Sequence, residues 1–109
     1  MIKPVLNTAS YTCADNKCYL VWLCDKDAVA YEIYRNDNLL GTFKIEELDK
    51  PFMFLRFPRN TLFRNNMLLS KVYVDNTVKR FNTYEYKIRP IYENNIVGEF
   101  SNIKHVKCE

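Results

Sequence analysis

The sequence predicts an all-β protein: a β-sandwich of seven short strands, formed by a single domain that spans residues 1–109. The composition favours strands, because eight Tyr and seven Phe occur in the chain. Short runs of strand-forming residues recur, and turn residues separate them about every eight to twelve positions. Only two Gly are present, so the turns depend on Asn and Asp. A hydrophobic fraction of 48% is ample for one core.

The first four strands are predicted from apolar runs that end at turn residues. They are Val5–Tyr11, Lys17–Cys24, Ala30–Asn36 and Leu39–Phe43. A polar loop that begins at Cys13 separates the first two. The second contains the only tryptophan, Trp22, and reads as a buried strand. A hairpin turn at Asn36–Asn38 joins the third strand to the fourth.

The long segment Lys44–Ser70 separates the fourth strand from the fifth and is rich in apolar residues. Pro51 and Pro58 exclude one continuous helix across it. Its pattern predicts three short elements: a helical turn at Ile45–Lys50, a strand at Phe52–Phe57 and a second helical turn at Asn60–Leu69. A connection of this length inside a compact domain is uncommon and is usually functional.

Three strands are predicted in the last part of the chain, and the middle one has the clearest pattern. They are Lys71–Asn76, Thr83–Tyr92 and Glu99–Lys107. In the middle strand Tyr84, Tyr86 and Ile88 alternate with charged residues, which predicts one buried and one exposed face. Pro90 lies in the same strand and lacks an N–H, so we expect a bulge or an unpaired neighbour there.

Five motifs, in order along the chain, resemble those of a fibronectin type III domain, a seven-stranded immunoglobulin-like sandwich. They are Leu20-x-Trp22, Tyr31-Glu-Ile-Tyr-Arg-Asn-x-x-Leu-x-Gly41, Tyr73-Val-Asp75, Thr83-Tyr-x-Tyr-x-Ile88 and Gly98-Glu-Phe-Ser101. The resemblance implies structural roles for Trp22, Tyr84 and Tyr86, with Tyr84 at the tyrosine-corner position. The insertion at Lys44–Ser70, Pro90 and the four cysteines depart from the family pattern. Fold resemblance does not by itself assign a function.

The second strand has an unusual outward face. If Trp22 points inward, as the resemblance implies, then Tyr19, Val21 and Leu23 point outward, and all three are apolar or aromatic. The fifth strand, which neighbours the second in this family, is also apolar on both faces. We expect the segment 52–69 to cover this patch. The alternatives are scattered surface apolar residues or a face open to a partner chain, including a second copy.

Four cysteines are present, and their pairing cannot be derived from the sequence alone. The resemblance implies that Cys13, Cys18 and Cys108 lie near one end of the sandwich and Cys24 near the other. A disulfide between any two of the first three is then possible. Four free thiols in a reducing compartment is the alternative. The cysteine spacing matches no zinc motif, so the sequence predicts no metal and no cofactor.

The segment 51–71 also contains the candidate interface, because arginines alternate with phenylalanines there and no acidic residue intervenes. The candidate interface residues are Phe54, Arg56, Phe57, Arg59, Phe63 and Arg64. Single-stranded nucleic acid is a weaker interpretation, since the phenylalanines are more simply explained by burial. A carbohydrate platform formed by Tyr34 and Tyr92 is weaker still, because nothing in the sequence sets their geometry.

The sequence predicts no enzyme. His105 is the only histidine, and no nucleophile or orienting group accompanies it in a known motif. No apolar run is long enough to span a membrane, and no apolar signal core follows Met1. We therefore expect a non-catalytic protein-interaction or spacer module, excised from a larger multidomain protein.

Two settings remain open for such a module. One is an accessory module of a secreted carbohydrate-active or cell-surface protein. The other is an intracellular scaffold or chromatin-associated domain. The motif pattern favours a secreted or cell-surface location. The expected partner is another protein or a neighbouring domain of the same chain.

Overall fold

A computed structural model describes residues 5–49 and 70–109, and within these ranges the chain forms eight strands. They are β1 (Asn7–Ala14), β2 (Lys17–Leu23), β3 (Ala30–Arg35), β4 (Asn38–Lys44), β5 (Ser70–Asp75), β6 (Thr83–Tyr92), β7 (Ile96–Val97) and β8 (Lys104–Lys107). Two short 3-10 turns, Ile45–Glu47 and Glu93–Asn95, are the helical elements of the same ranges. The predicted all-β class is confirmed.

The strands form two antiparallel sheets. The first has the order β1-β2-β5, so β2 lies in its centre. The second has the order β4-β3-β6-β7, and β8 also pairs with β6. The predicted adjacency of the second and fifth strands is therefore confirmed. The predicted strand at Phe52–Phe57 and the helical turn at Asn60–Leu69 lie outside the described residues.

Two tight hairpin turns depend on Asp and Asn residues with positive φ. Asn36 (51°) and Asp37 (65°) join β3 to β4, as predicted. Asp15 (55°) and Asn16 (62°) join β1 to β2 in the same way. The prediction of a longer loop from Cys13, with a first strand at Val5–Tyr11, was wrong. Short polar side chains tolerate the left-handed region, so two residues suffice for the turn.

The predicted bounds of the last strand, Glu99–Lys107, were also wrong, because within them only Lys104–Lys107 (β8) is a strand, and a separate short strand, β7, precedes them. Pro90 explains the division. The Gly98 N–H donates to the Pro90 carbonyl at 2.8 Å, so this side of Pro90 faces Gly98. Proline has no N–H to donate in return, and the chain at Gly98 therefore lacks one of the hydrogen bonds of a regular strand pair. Pairing of β6 with β3 continues in register through Tyr31↔Pro90. The expected irregularity therefore occurs in the strand opposite Pro90.

The main core draws residues from both sheets. On β2 the inward residues are Cys18, Leu20 and Trp22, and the core face continues to Cys24, as predicted. On β6 the inward residues are Tyr84, Tyr86 and Ile88, so the alternation read from the sequence is confirmed.

A second, smaller cluster lies on the other face of the first sheet. Val21 and Val72 are direct partners across β2 and β5, and both are buried. Tyr19 and Val74 form the next pair and are partly buried against them. The predicted apolar outward face is confirmed, and Val21 is only 4% exposed. The segment predicted to cover it, 52–69, lies outside the described residues.

Candidate functional site

The six residues of the predicted interface all lie outside the described residues. They are Phe54, Arg56, Phe57, Arg59, Phe63 and Arg64, all within the gap between 49 and 70. Their role therefore stays a prediction. The described part of the chain offers four other places with chemistry to assess: a buried carboxylate, three cysteines at one end of the core, a single buried thiol at the other end, and an outward cluster of rings and cations.

Trp22 is buried at the centre of the main core, in agreement with its expected structural role. Its ring centroid lies 5.4 Å from that of Tyr31 in a tilted arrangement. The indole N–H is one of two buried side-chain groups in the described part of the chain without a hydrogen-bond partner. Cys24 lies beside it, and sulfur is only a weak acceptor. Trp22 therefore contributes through packing.

Tyr84 forms a hydrogen bond with the loop that precedes its strand. Its hydroxyl accepts the backbone N–H of Lys79 at 2.9 Å, five residues upstream. The Asn82 amide lies at 3.4 Å from the same oxygen. The guanidinium of Arg35 lies 5.1 Å from the Tyr84 ring centroid. The residue ties the loop before β6 to the strand itself.

Tyr86 leads to a buried carboxylate that the sequence analysis did not single out. Asp75, at the end of β5, is 1% exposed. The Tyr86 hydroxyl donates to its Oδ2 at 2.6 Å, and Arg35 Nη1 donates to the same oxygen at 2.9 Å. Thr77 donates to Oδ1 through its hydroxyl (2.6 Å) and its backbone N–H (3.0 Å). Asp75 thus links β3, β5 and β6.

The charge at Asp75 is stabilised by its donors. Burial alone would raise the pKa of Asp75, but the hydrogen bonds from Thr77, Tyr86 and Arg35 outweigh burial and hold it below its usual value. Burial and the bond to Asp75 together raise the pKa of Tyr86. All four donors come from the protein itself, and through them the carboxylate links the two sheets.

Three of the four cysteines lie together at one end of the molecule. A disulfide joins Cys13 to Cys108, whose Cα atoms are 4.4 Å apart. Cys18 is a free, fully buried thiol, and its Cα is the register partner of Cys13 across β1 and β2. Burial raises the pKa of Cys18 to about 12, while contact with the Tyr86 hydroxyl lowers it slightly. Of the pairings that the sequence left open, the structure contains Cys13–Cys108.

Cys24, beyond the other end of β2, is the second free thiol and is also buried. Burial raises its pKa to about 12, with a smaller opposing effect from Trp22. Two tyrosines contact the next residue, Asp25. The Tyr31 hydroxyl accepts the Asp25 backbone N–H at 2.9 Å, and the Tyr92 hydroxyl donates to Asp25 Oδ2 at 2.8 Å. Tyr92 packs partly against the main core, which does not fit the weak alternative of an aromatic platform with Tyr34.

The outward face of the second sheet carries a cluster of aromatic rings and cations. Tyr34 and Phe100 pack edge to face with centroids 5.3 Å apart. Lys87 Nζ and the Arg89 guanidinium lie 4.4 Å and 4.6 Å from the Phe100 centroid. Glu32 forms an ion pair with Arg89. Because protein cations already contact Phe100 and the charges are paired, this cluster differs from the open aromatic platform that sugars stack on.

Asp75, Thr77 and Arg35 are the residues that sequence reasoning missed. The signal that could have found them is the pattern Asp75-x-Thr77 at the end of an apolar strand. An Asp that accepts the N–H two residues later forms a local turn. Nothing in the sequence indicates that the same carboxylate also receives Arg35 from β3, because that contact depends on how the sheets pack.

The described residues contain no cluster of three or more His, Cys, Asp or Glu side chains suited to a metal ion. His105, on β8, is 66% exposed at its side chain, and its Nδ1 lies 3.5 Å from Glu85. A helix with the length and hydropathy needed to cross a bilayer is absent from residues 5–49 and 70–109.

Comparisons with known proteins identify relatives by structure alone. No protein-family model matches the chain, and no curated protein matches it in sequence. Among solved structures, a family 28 exopolygalacturonase from Yersinia enterocolitica aligns with a TM-score of 0.69 at 14% identity. A pectate lyase from Pectobacterium carotovorum aligns at 0.63 and 18%. A pectate lyase from Erwinia chrysanthemi, in complex with tetragalacturonic acid, aligns at 0.62 and 13%.

The alignments cover almost all of this chain but only a fraction of each neighbour. They include 98%, 99% and 96% of this chain, against 20%, 27% and 28% of the respective neighbours. At these identities the likeness is one of fold alone. The chain therefore shares its fold with part of each of three larger proteins.

Proposed function

We propose that this chain is a non-catalytic module with the fibronectin type III form of β-sandwich, acting as a spacer or protein-interaction domain within a larger protein. The strand order supports the family assignment. In one sheet the second strand lies between the first and the fifth, and in the other the third lies between the fourth and the sixth. The Tyr84 hydrogen bond to Lys79 supports it further.

The observation that carries the functional proposal is what the structural neighbours share. They include both a polygalacturonase and pectate lyases, which are enzymes with different activities. This chain matches less than a third of each, since the shares range from 20% to 28%. A fold common to enzymes with different reactions is more simply a supporting module than the part that determines the reaction.

The use of polar groups inside the fold agrees with this proposal. Catalytic sites keep acids, bases or nucleophiles aimed at a reacting group. Here the buried carboxylate Asp75 receives all its donors from Tyr86, Arg35 and Thr77. The buried thiols Cys18 and Cys24 are protonated near neutral pH, because burial raises their pKa to about 12.

The neighbours favour one of the two settings, an accessory module of a carbohydrate-active protein. The Cys13–Cys108 disulfide supports an oxidising compartment and so a secreted or cell-surface location. The intracellular scaffold alternative requires all four thiols to be reduced. The predicted interface at Arg56 to Arg64 remains the candidate contact with an acidic or apolar partner.

An activity assay on polygalacturonic acid tests the non-catalytic proposal. The purified chain should release neither reducing ends nor unsaturated products, with a pectate lyase as the positive control. Turnover that copurifies with the folded chain and disappears on unfolding would overturn the proposal.

Affinity electrophoresis in gels containing polygalacturonate tests whether an accessory role includes binding the polymer. Retardation that is weakened by Arg59→Glu but retained by the charge-matched control Arg80→Glu would assign the binding to the predicted interface. If each of the three proteins migrates equally far in gels with and without the polymer, a spacer or protein-binding role would be favoured. Arg80 is an exposed residue, so the control substitution should leave the fold intact.

A further inference from the structure

Three cysteines lie at one end of the main core, and only two of them are bonded to each other. We propose that Cys13, Cys18 and Cys108 form a thiol–disulfide exchange site, at which the free thiol of Cys18 can replace Cys108 as the partner of Cys13. All three residues are buried in the main core. The exchange would convert a bridge that holds the C-terminal end into one confined to the β1–β2 hairpin.

The hairpin positions Cys18 for this replacement. Asp15 and Asn16 form a two-residue turn that is closed by the pair Ala14↔Lys17. The next pair inward is Cys13↔Cys18. Antiparallel pairs alternate between hydrogen-bonded and non-hydrogen-bonded types, and the pair after a turn-closing pair is non-hydrogen-bonded, with Cα atoms about 4.5 Å apart. That separation lies within the range that a disulfide can span.

The chemical step is balanced without an external oxidant. The Cys18 thiol loses its proton to solvent, and the thiolate attacks the Sγ of Cys13. The Sγ–Sγ bond between Cys13 and Cys108 breaks, a Cys13–Cys18 bond forms, and Cys108 leaves as a thiolate that takes up a proton. One disulfide and one thiol are present before and after the step.

Backbone hydrogen bonds hold the leaving residue in addition to the disulfide. The Phe81 N–H donates to the Cys108 carbonyl at 2.8 Å, and the Cys108 N–H donates to the Asn82 carbonyl at 2.9 Å. The Glu109 N–H donates to the Cys13 carbonyl, also at 2.9 Å. After exchange these three bonds would be the direct ties between the C-terminal end and the rest of the domain at this point. The end would then open more easily, although the strands remain paired.

The surroundings of Cys18 keep the exchange slow in the closed state. Its side chain is buried between Tyr86 and the core, and burial disfavours the thiolate that must attack. Tyr86 is itself hydrogen-bonded to Asp75. We therefore expect exchange during local opening of the β1–β2 hairpin or the C-terminal end, without global unfolding.

Disulfide mapping over time tests the proposal, with Cys24 as an internal control. Cys18 and Cys24 are both buried and have the same raised pKa, but only Cys18 lies opposite Cys13. The intact four-cysteine protein is incubated in mildly alkaline buffer without denaturant, quenched with acid, alkylated, digested and mapped by mass spectrometry. We expect Cys13–Cys18 bridges to exceed all bridges that contain Cys24 by about tenfold or more, as proximity requires.

Two results would overturn the proposal. One is the absence of a Cys13–Cys18 bridge at all times; the other is equal participation of Cys24, which indicates scrambling through global unfolding.

A second measurement uses Cys108→Ser with oxidised glutathione. This variant should form the Cys13–Cys18 bridge while its far-ultraviolet circular dichroism stays that of the folded protein, whereas Cys18→Ser should show no change of partner. A folded Cys108→Ser protein that forms no such bridge also contradicts the proposal.

Discussion

The two ends of β2 each bury one free thiol, and the two settings differ. Cys18, near the start of the strand, lies opposite the Cys13–Cys108 disulfide and contacts the hydroxyl of Tyr86. Cys24, just after the strand, lies beside Trp22, with the tyrosine cluster of Asp25 close by. Burial raises both pKa values to about 12. Their acidity therefore does not distinguish the two thiols, and we expect any difference in their reactivity to arise from the residues around them.

The same comparison separates two ways of stabilising a small domain that is formed by two sheets. At the Cys18 end a covalent bridge and a buried carboxylate connect elements that are distant in sequence. At the Cys24 end apolar and aromatic packing around Trp22 predominates. Substitutions at the two ends should then lower stability for different reasons. At the Cys18 end they remove a covalent restraint on the chain or a buried charge, whereas at the Cys24 end they leave a cavity.

The largest effect is expected from Cys108→Ser. Cys13 and Cys108 are 95 residues apart, and closing a loop of this length stabilises the folded state by about 4–5 kcal/mol in the chain-entropy model. Chemical unfolding would measure the loss, with Cys24→Ser as the matched control. The control replaces a buried thiol by a hydroxyl without opening a loop, so it should cost only about 1–3 kcal/mol. Equal losses would indicate that the bridge contributes little.

Trp22→Ala comes next, at the other end. Removing a fully buried indole should lower the free energy of unfolding by about 3–5 kcal/mol through the cavity it leaves. Trp22→Phe keeps a ring in the same space and gives up only the weak contact of the indole N–H with Cys24. It should therefore lose less. A Phe variant as unstable as the Ala variant would show that the indole N–H itself contributes to stability.

Asp75→Asn removes the charge from the network near Cys18 and keeps the size of the side chain. We expect a loss of about 2–3 kcal/mol at neutral pH, because hydrogen bonds to a charged group are the stronger kind. The pKa of Asp75 is lowered in the folded state, so its contribution is present above the unfolded pKa, about 3.9, and is lost as pH falls through the folded value.

Stability measured from neutral to acidic pH checks both parts of the Asp75 prediction. The difference between wild type and Asp75→Asn should shrink as pH falls below about 4. Asp37→Asn is the control: it removes an ion pair with Lys87 at a side chain that is 82% exposed, and should be nearly neutral. A constant difference across the whole range would refute a lowered Asp75 pKa.

Tyr84→Phe is expected to have the smallest effect. Loss of the hydrogen bond from Lys79 should lower the free energy of unfolding by about 1 kcal/mol. Tyr34→Phe provides a comparison on the outward face, where the hydroxyl makes a longer contact of 3.3 Å with Glu32. Thermal melts of the two variants should rank Tyr84→Phe as the less stable. An unchanged melting temperature for Tyr84→Phe would remove its corner role.

Much of the fold could be predicted because local rules agree with the tertiary structure. The alternation in β6 gives its bounds, Thr83–Tyr92, and its buried face. The hairpin at Asn36 follows from turn chemistry that is local to two residues. The apolar outward face of β2 was also visible in sequence, since Val21 and Val72 each lie in a run with no polar alternation.

The parts that could not be predicted depend on partners distant in sequence. The division of the last strand follows from Pro90 in a neighbouring strand, so the sequence of β7 and β8 alone does not reveal it. Asp75 reads as a turn residue, and only the packing of the sheets brings Arg35 and Tyr86 to it. Likewise, three cysteine pairings were compatible with the sequence, and the strand positions favour one.

Disulfide mapping of the freshly purified, untreated protein tests the central comparison most directly. Thiols are alkylated without reduction, the chain is digested, and linked peptides are identified by mass spectrometry. We predict a Cys13–Cys108 linkage, with Cys18 and Cys24 both recovered as thiols that label only after unfolding. Four free cysteines, or a linkage that includes Cys24, would contradict the distinction between the two ends of β2.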